Sequence, residues 1–319
     1  MTSEDVLVER KAKGKAKRKR KTTSMLRGSC WTPTLFVLPA VLLLFLITIV
    51  PFLIELYLSF HSYELTRPAP PRFVWLKNFG DVLFNDPRFW NSIRITLVLI
   101  AAAVGTELVF GTGLAMLINR LRRSRSVITS LFLIPVMIAP VVSGMMWVMI
   151  YDDKFGPLNY LIQALSGGHL RGVAWVANPS WALFSIIVAD IWQWTPFIIL
   201  IVLAGLQSIP VELYEASEVD GAGTWQSLIY ITLPMLIPVL VIGVLIRFMD
   251  SFKLFDLVYL LTRGGPGSAT ETISFYTYIR GFKQFSIGYT AALAFIQLII
   301  IIVAAKLFIG YLNRQRGEA

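Results

Sequence analysis

Gln207-Ser208-Ile209-Pro210-Val211-Glu212-Leu213-Tyr214-Glu215-Ala216-Ser217-Glu218-Val219-Asp220-Gly221-Ala222-Gly223-Thr224-Trp225 contains the carboxylates Glu212, Glu215, Glu218 and Asp220 and no Lys or Arg. It lies between two strongly apolar runs, 181–205 and 235–255. Ser208 can cap a helix start, Pro210 suits its first turn and Asp220-Gly221 can end it. From Thr224 a second short helix can run to Leu233-Pro234, where the next apolar run begins. The segment 207–234 therefore reads as a helix-turn-helix on one membrane face. The small residues Ala216, Ser217, Gly221, Ala222 and Gly223 would admit a partner's backbone, and the carboxylates would meet its Arg or Lys side chains.

Outward from this loop, a window of about nineteen residues finds membrane-length apolar stretches on both sides. They are 34–58, 92–118, 127–151, 181–205, 235–255 and 287–310, which predicts an all-α polytopic membrane protein of six transmembrane helices with a cytoplasmic helix between the fourth and fifth. Prolines fall inside several of them (Pro39, Pro51, Pro135, Pro140, Pro196 and Pro238), which membrane helices tolerate when neighbours satisfy the freed carbonyls. The organisation expected is a basic tail at 1–32, a transmembrane domain at 33–312 containing the loop 207–234, and a short C-terminal end at 313–319.

Composition agrees with this reading. Of 319 residues 56% are hydrophobic and 15% charged, with a net charge of +10. A soluble enzyme typically has about 45–50% apolar and about 25% charged residues. Much of the positive charge sits between positions 10 and 27, directly before the first apolar run, where it orients that run with the N-terminus inside. Nucleic-acid contact by this tail is the weaker explanation, because a membrane span follows it at once. An even number of spans then puts both termini in the cytoplasm. The single Cys30 and the distant pair His61 and His169 offer no metal site, and no Gly-rich phosphate loop followed by Lys-Ser or Lys-Thr occurs. No nucleophile–base constellation suggests an enzyme. If ATP drives the protein, another subunit must bind it.

The series Glu215-Ala216-Ser217, Asp220-Gly221-Ala222 and Ile231-Thr232-Leu233-Pro234 resembles the EAA loop of the membrane subunits of bacterial ABC importers, with Ser217 where alanine is commoner. A second stretch, Phe255-Asp256-Leu257-Val258-Tyr259-Leu260-Leu261-Thr262-Arg263-Gly264-Gly265-Pro266-Gly267, followed by Thr270 and Gly288-Tyr289-Thr290-Ala291-Ala292, is similar to the sugar-importing branch related to the maltose and glycerol-phosphate permeases. This resemblance implies the type I importer permease fold and a place in the bacterial inner membrane. It implies that Glu215, Ala216, Ser217, Asp220, Gly221, Ala222, Leu233 and Pro234 couple the chain to an ATPase. Its expected partners are a second permease subunit in a heterodimer, two ATPase copies carrying ATP and Mg, an extracytoplasmic solute-binding protein, a sugar and the lipid bilayer. No cofactor would be bound by this chain, and no nucleic acid. A glycerol-phosphate or polyol importer is the alternative. A secondary transporter is more remote, since no clear internal repeat is present.

Charges inside apolar runs are functional candidates by default. Glu55, Arg94, Glu107, Asp190, Arg247, Asp250 and Lys306 are such charges; Glu55, Arg94 and Lys306 lie near span ends and can snorkel. Asp190 and Arg247 remain the prominent candidates. Helical spacing puts Asp190, Trp194 and Phe197 on one face, and Arg247, Ser251 and Leu254 on one face of the next helix. Aligned through Pro196 and Leu261-Thr262, these positions correspond in the resembling branch to sugar-contacting ones, although their identities differ. Rings beside hydrogen-bonding groups suit a pyranose. The competing reading is an Asp190–Arg247 ion pair that fixes helix packing.

Overall fold

The computed structural model describes residues 31–316 except 68, 122, 170 and 171. The basic stretch between positions 10 and 27 lies outside the described residues, as do the last three of the C-terminal end. The first helix, α1 (Trp31–Ser59), belongs up to Tyr57 to one unit; the chain from Leu58 forms another. Helix α1 keeps Pro39 and Pro51 inside its length, and nearly all its described side chains are exposed and apolar. That all-round apolarity suits a helix surrounded by lipid.

From Leu58 the chain makes a small hairpin, β1 (His61–Ser62) antiparallel to β2 (Arg72–Phe73), then α2 (Lys77–Asn85) and the long α3 (Pro87–Asn119). Next come α4 (Arg125–Phe132), α5 (Ile134–Met137), α6 (Pro140–Ile150), α7 (Pro157–Leu165) and α8 (Pro179–Ser208). The loop of interest forms α9 (Val211–Val219) and α10 (Thr224–Ser227). A π-turn at Leu228–Thr232 leads into α11 (Leu233–Ser251), followed by α12 (Asp256–Leu261) and α13 (Ile273–Tyr278). A second π-turn at Ile279–Lys283 precedes α14 (Ile287–Arg316). Pro87, Pro140, Pro157 and Pro179 each open a helix, where a preset φ helps and a missing N–H is no loss. The side chains of Asp86 and Asn178 cap the two longest of these by accepting from the next backbone amides.

Among the described residues five helices are long and apolar enough to cross a membrane: Leu35–Ser59, Pro87–Asn119, Pro179–Ser208, Thr224–Ser251 and Ile287–Arg314. The expected third span is corrected: 127–151 is not one helix but α4, α5 and α6 in succession. Proline pushes the residue before it out of the helical region. Ala139 before Pro140 and its neighbour Ile138 are extended, at ψ 137° and 131°. The second short helix of the loop also departs from expectation, since it does not stop at Pro234. Proline has no N–H to return to the carbonyl four residues earlier, and the ladder shifts to a π pattern, with the Leu233 amide bonded to the Leu228 carbonyl. Helix α10 thus continues into α11.

The main helix pairing is α3 against α8, and it is close because small residues line it. A Cβ on Gly111 would lie 2.7 Å from Ile198 Cγ2, and Ala103, Ala115, Ala182 and Ala189 are fully buried. Near the other end of α3, Gly288 lets the start of α14 pass under the hairpin: an added Cβ would lie 1.9 Å from the His61 carbonyl oxygen. The Gly288 amide donates to the Tyr63 carbonyl at 3.2 Å. Gly288→Ala should therefore destabilise by about 1–3 kcal/mol through overpacking against backbone that cannot rotate away. Gly113→Ala, where an added Cβ meets nothing within 4 Å, should be neutral or slightly stabilising. Thermal unfolding of the two purified variants in detergent checks the contrast.

Candidate functional site

Helix α9 ends in a hydrogen-bonded Schellman turn. The Gly221 amide donates to the Glu218 carbonyl at 3.1 Å and the Ala222 amide to the Ser217 carbonyl at 2.9 Å. Gly221 holds φ at +75°, the left-handed region where a residue without Cβ is favoured. The expected end of the helix at Asp220-Gly221 is where it falls. The expected start is not: Ser208 Oγ donates to the Gly205 carbonyl at 2.7 Å and so closes α8, while Pro210 precedes α9 without a side-chain cap.

The inner side of α9 is held by hydroxyl groups. Tyr214 Oη lies 3.0 Å from Thr232 Oγ1, and Ser217 Oγ lies 3.2 Å from Ser227 Oγ while also donating to the Tyr214 carbonyl at 2.8 Å. Tyr214 packs on the cluster of Ile198, Leu206, Ile209 and Leu236, which joins α8 to α11. Hence α9 is clasped between the helices that precede and follow it. The Ser217 hydroxyl, the departure from the commoner alanine, makes part of this clasp. Behind it lies a cavity of about 300 Å³ whose lining includes Arg120, Tyr214, Ser217, Glu218 and Thr232.

Among the described residues the outer side has no such hydroxyl partners. Glu212, Glu215, Ala216, Asp220 and Gly221 are exposed, and beside them Val219 and Trp225 are 88% and 73% exposed. Carboxylates around uncovered apolar side chains make a surface fit for a basic protein partner. Leu233 and Pro234 stand apart from this surface, at the π-turn where α10 passes into α11.

The second constellation is internal. Arg247 of α11 is fully buried and binds Glu107 of α3 in a two-pronged fashion, Nε to Oε2 at 2.7 Å and Nη2 to Oε1 at 2.8 Å. The same Nη2 donates to Asp190 Oδ2 of α8 at 2.7 Å, and Nη1 to Asp250 Oδ2 at 3.0 Å. Trp194 covers the guanidinium with its ring centroid 4.7 Å away. One cation thus ties α3, α8 and α11 together.

Of the six residues expected along a substrate path, the structure brings Asp190, Trp194 and Arg247 together. The side chains of Asp190 and Arg247 have no exposed surface. Ser251 is buried one turn beyond Arg247. Phe197 meets Trp194 edge to face, with ring centroids 6.2 Å apart, and also packs on the apolar cluster of α8 and α11, whereas Leu254 lies beyond the end of α11 in another cluster around Leu257 and Phe275. The shared-face expectation therefore holds for only part of the set. Asp190 and Arg247 do pair, as the packing alternative supposed, but with Glu107 as the residue that completes the cluster. A signal for Glu107 exists in the sequence: Ala103, Gly111 and Ala115 recur at four-residue spacing around it, so the carboxylate sits in the stripe that packs most closely.

Comparison with known proteins agrees with this architecture. The model of the binding-protein-dependent transport system inner membrane component family matches residues 107–316. A probable ABC transporter permease of Sinorhizobium fredii is 38% identical over 280 residues, covering 88% of this chain and 89% of its own. The trehalose/maltose transport system permease of Thermococcus litoralis is 33% identical, covering 88% and 92%. The sulfoquinovosyl glycerol transport system permease of Agrobacterium fabrum is 33% identical, covering 88% and 90%. Among solved structures, a chain of a bacterial ABC transporter importing the acidic polysaccharide alginate shares the fold, with a TM-score of 0.77 at 24% identity and coverage of 92% and 99%. The polar loop clasped between two spans and the family match over residues 107–316 lead to one assignment: this chain belongs to the family of binding-protein-dependent transport system inner membrane components, the permease subunits of ABC importers.

Proposed function

We propose that the chain forms half of the transmembrane pathway of an ATP-driven importer for a sugar. The observation that carries this reading is the exposed carboxylate and apolar face of α9, held by hydroxyl groups to α10 and the π-turn before α11. An ATPase subunit with basic side chains docks there; ATP and Mg are bound and hydrolysed on that subunit. Displacement of a rigid, clasped helix passes directly into α8 and α11. The relatives named for trehalose/maltose, sulfoquinovosyl glycerol and starch degradation products support a carbohydrate cargo. A second, different permease chain, two ATPase copies and an extracytoplasmic solute-binding protein complete the assembly, with both termini of this chain in the cytoplasm.

Within the pathway, Asp250 and Trp194 are the members of the charged cluster a solute can reach, because the Asp250 side chain is 49% exposed. Asp190 and Arg247 act through them, as positioning residues. Reconstitution in lipid nanodiscs tests the proposal. ATP hydrolysis should rise when the solute-binding protein is added with its sugar, and uptake into vesicles should require ATP. Uptake that proceeds without an ATPase subunit would overturn it.

A further inference from the structure

At the end of α3 opposite the α9 loop, a polar cleft of about 880 Å³ opens between the β1–β2 hairpin, α2 and the start of α14. Its carboxylates already have donors. Glu64 is bridged to Arg67 at 2.8 Å, and Asp81 accepts from Asn85 Nδ2 at 3.0 Å. Asp86 accepts from the amides of Arg88 and Phe89 and from the hydroxyls of Tyr276 and Tyr289. Burial pushes the Asp86 carboxyl up, but those hydrogen bonds outweigh it and hold the group below the usual carboxylate range. Arg88 is committed to Glu271 through two bonds of 2.7 and 2.6 Å.

The other cations of the cleft are not met in this way. Arg72 on β2, Lys77 on α2 and Arg280 in the second π-turn line the same space, and among the described residues none has a carboxylate partner. Arg280 is held in place: its guanidinium stacks over the Tyr289 ring at 4.0 Å and Nη1 donates to Gln284 Oε1 at 2.8 Å. Its Nε is buried yet has no hydrogen-bond partner. The stacking and the Gln284 bond hold the guanidinium in one orientation at the cleft wall, and a preorganised charged donor suits an anion. The space also fits more than a simple ion, since small-molecule sites typically occupy about 300–1,000 Å³. Tyr63, Asn85 and the Phe73 ring add hydrogen-bonding and stacking groups to the walls.

We propose that this cleft binds a carboxylate-bearing group, with Arg280 as the fixed anchor and Arg72 and Lys77 as outer cations. The carboxylate comes either from a free acidic saccharide or from an Asp or Glu side chain of the docked solute-binding protein. The second source rests on the importer reading; the first does not.

The test uses the assembled importer in nanodiscs of uncharged lipid, titrated calorimetrically with digalacturonate, with maltose as a neutral control of similar size. If the source is a free acid, digalacturonate binds and maltose does not. Arg280→Gln then weakens binding about tenfold, and Arg72→Gln or Lys77→Gln about threefold each, as expected for charge-assisted bonds at a partly exposed site. If digalacturonate fails to bind but the affinity of the solute-binding protein falls by the same factors in the same variants, the carboxylate belongs to that protein. Arg72 and Lys77 are exposed, so their variants keep the fold and a loss reports on the cleft. Unchanged affinities in both arms across all three variants would overturn the proposal. That result would leave the α9 coupling reading standing, because sugar-stimulated ATP hydrolysis reports on it separately.

Discussion

Arg247→Met should be the most destabilising single substitution in the chain, by about 3–5 kcal/mol, because it leaves buried carboxylates without their cation. Glu107 and Asp190 are fully buried, and each takes its close ion-pair contact from the same guanidinium. Arg247→Lys should recover only part of the loss: an ammonium cannot present the planar fork that serves Glu107 with two bonds while reaching Asp190 and Asp250. The combination Arg247→Met, Glu107→Gln and Asp190→Asn should restore most of the stability, since it removes the buried charges together. Asp250 tolerates this because its side chain is half-exposed and can be hydrated. Thermal unfolding in detergent of the single, conservative and triple variants gives the order directly. If the lone Arg247→Met variant is as stable as the parent, the node does not hold the helices together. The triple variant also separates two roles: an altered sugar preference in a folded triple variant is expected if Asp190 and Arg247 position Asp250 and Trp194, whereas an unchanged preference would assign them to helix packing alone.

That node marks the limit of what the sequence makes legible. Asp190 and Arg247 stand out because each is an isolated charge in an apolar run, and helical periodicity then groups their neighbours. Glu107 stands out in the same way, yet its partner lies 140 residues away, and no local pattern connects the two. The loop at 207–234 is legible for the opposite reason. Its helix end, turn and small residues are set by near neighbours, and the Schellman turn at Gly221 follows from chemistry within five residues. The expected third span is not one continuous helix, because a hydropathy window averages over length and ignores backbone continuity. Pro140 leaves its apolarity intact while the extended Ile138 and Ala139 before it part α6 from the short helices α4 and α5. The hairpin at His61 and Phe73 has strands of two residues, too short for any alternation to appear.

Gly221→Trp should abolish most sugar uptake, at least about tenfold or 1.4 kcal/mol of coupling, while costing the isolated chain little. The structure separates two effects that the sequence merges. At φ +75° any residue with a Cβ carries strain, about 1–2 kcal/mol. Yet Gly221 is exposed and an added Cβ there meets nothing within 4 Å, so a side chain starts into open space until something docks on the turn. Gly221→Asn therefore serves as the control, because asparagine tolerates the left-handed region and adds little volume. The Asn variant should transport near normally, whereas the Trp variant should fold with a similar unfolding midpoint but fail to engage the ATPase or fail to link hydrolysis to uptake. Glu215→Lys should act on the same surface through charge: Glu215 is exposed and lies outside the hydroxyl clasp, so reversing its sign alters the docking face and leaves Tyr214 and Ser217 in place. Uptake, ATP hydrolysis and copurification of the ATPase, measured on the same reconstituted variants, distinguish lost docking from lost coupling. Normal uptake by the Trp variant in an intact complex would mean that the exposed face of α9 does not meet the ATPase, since no docked protein surface could accept an indole at the tip of that turn without moving away from it.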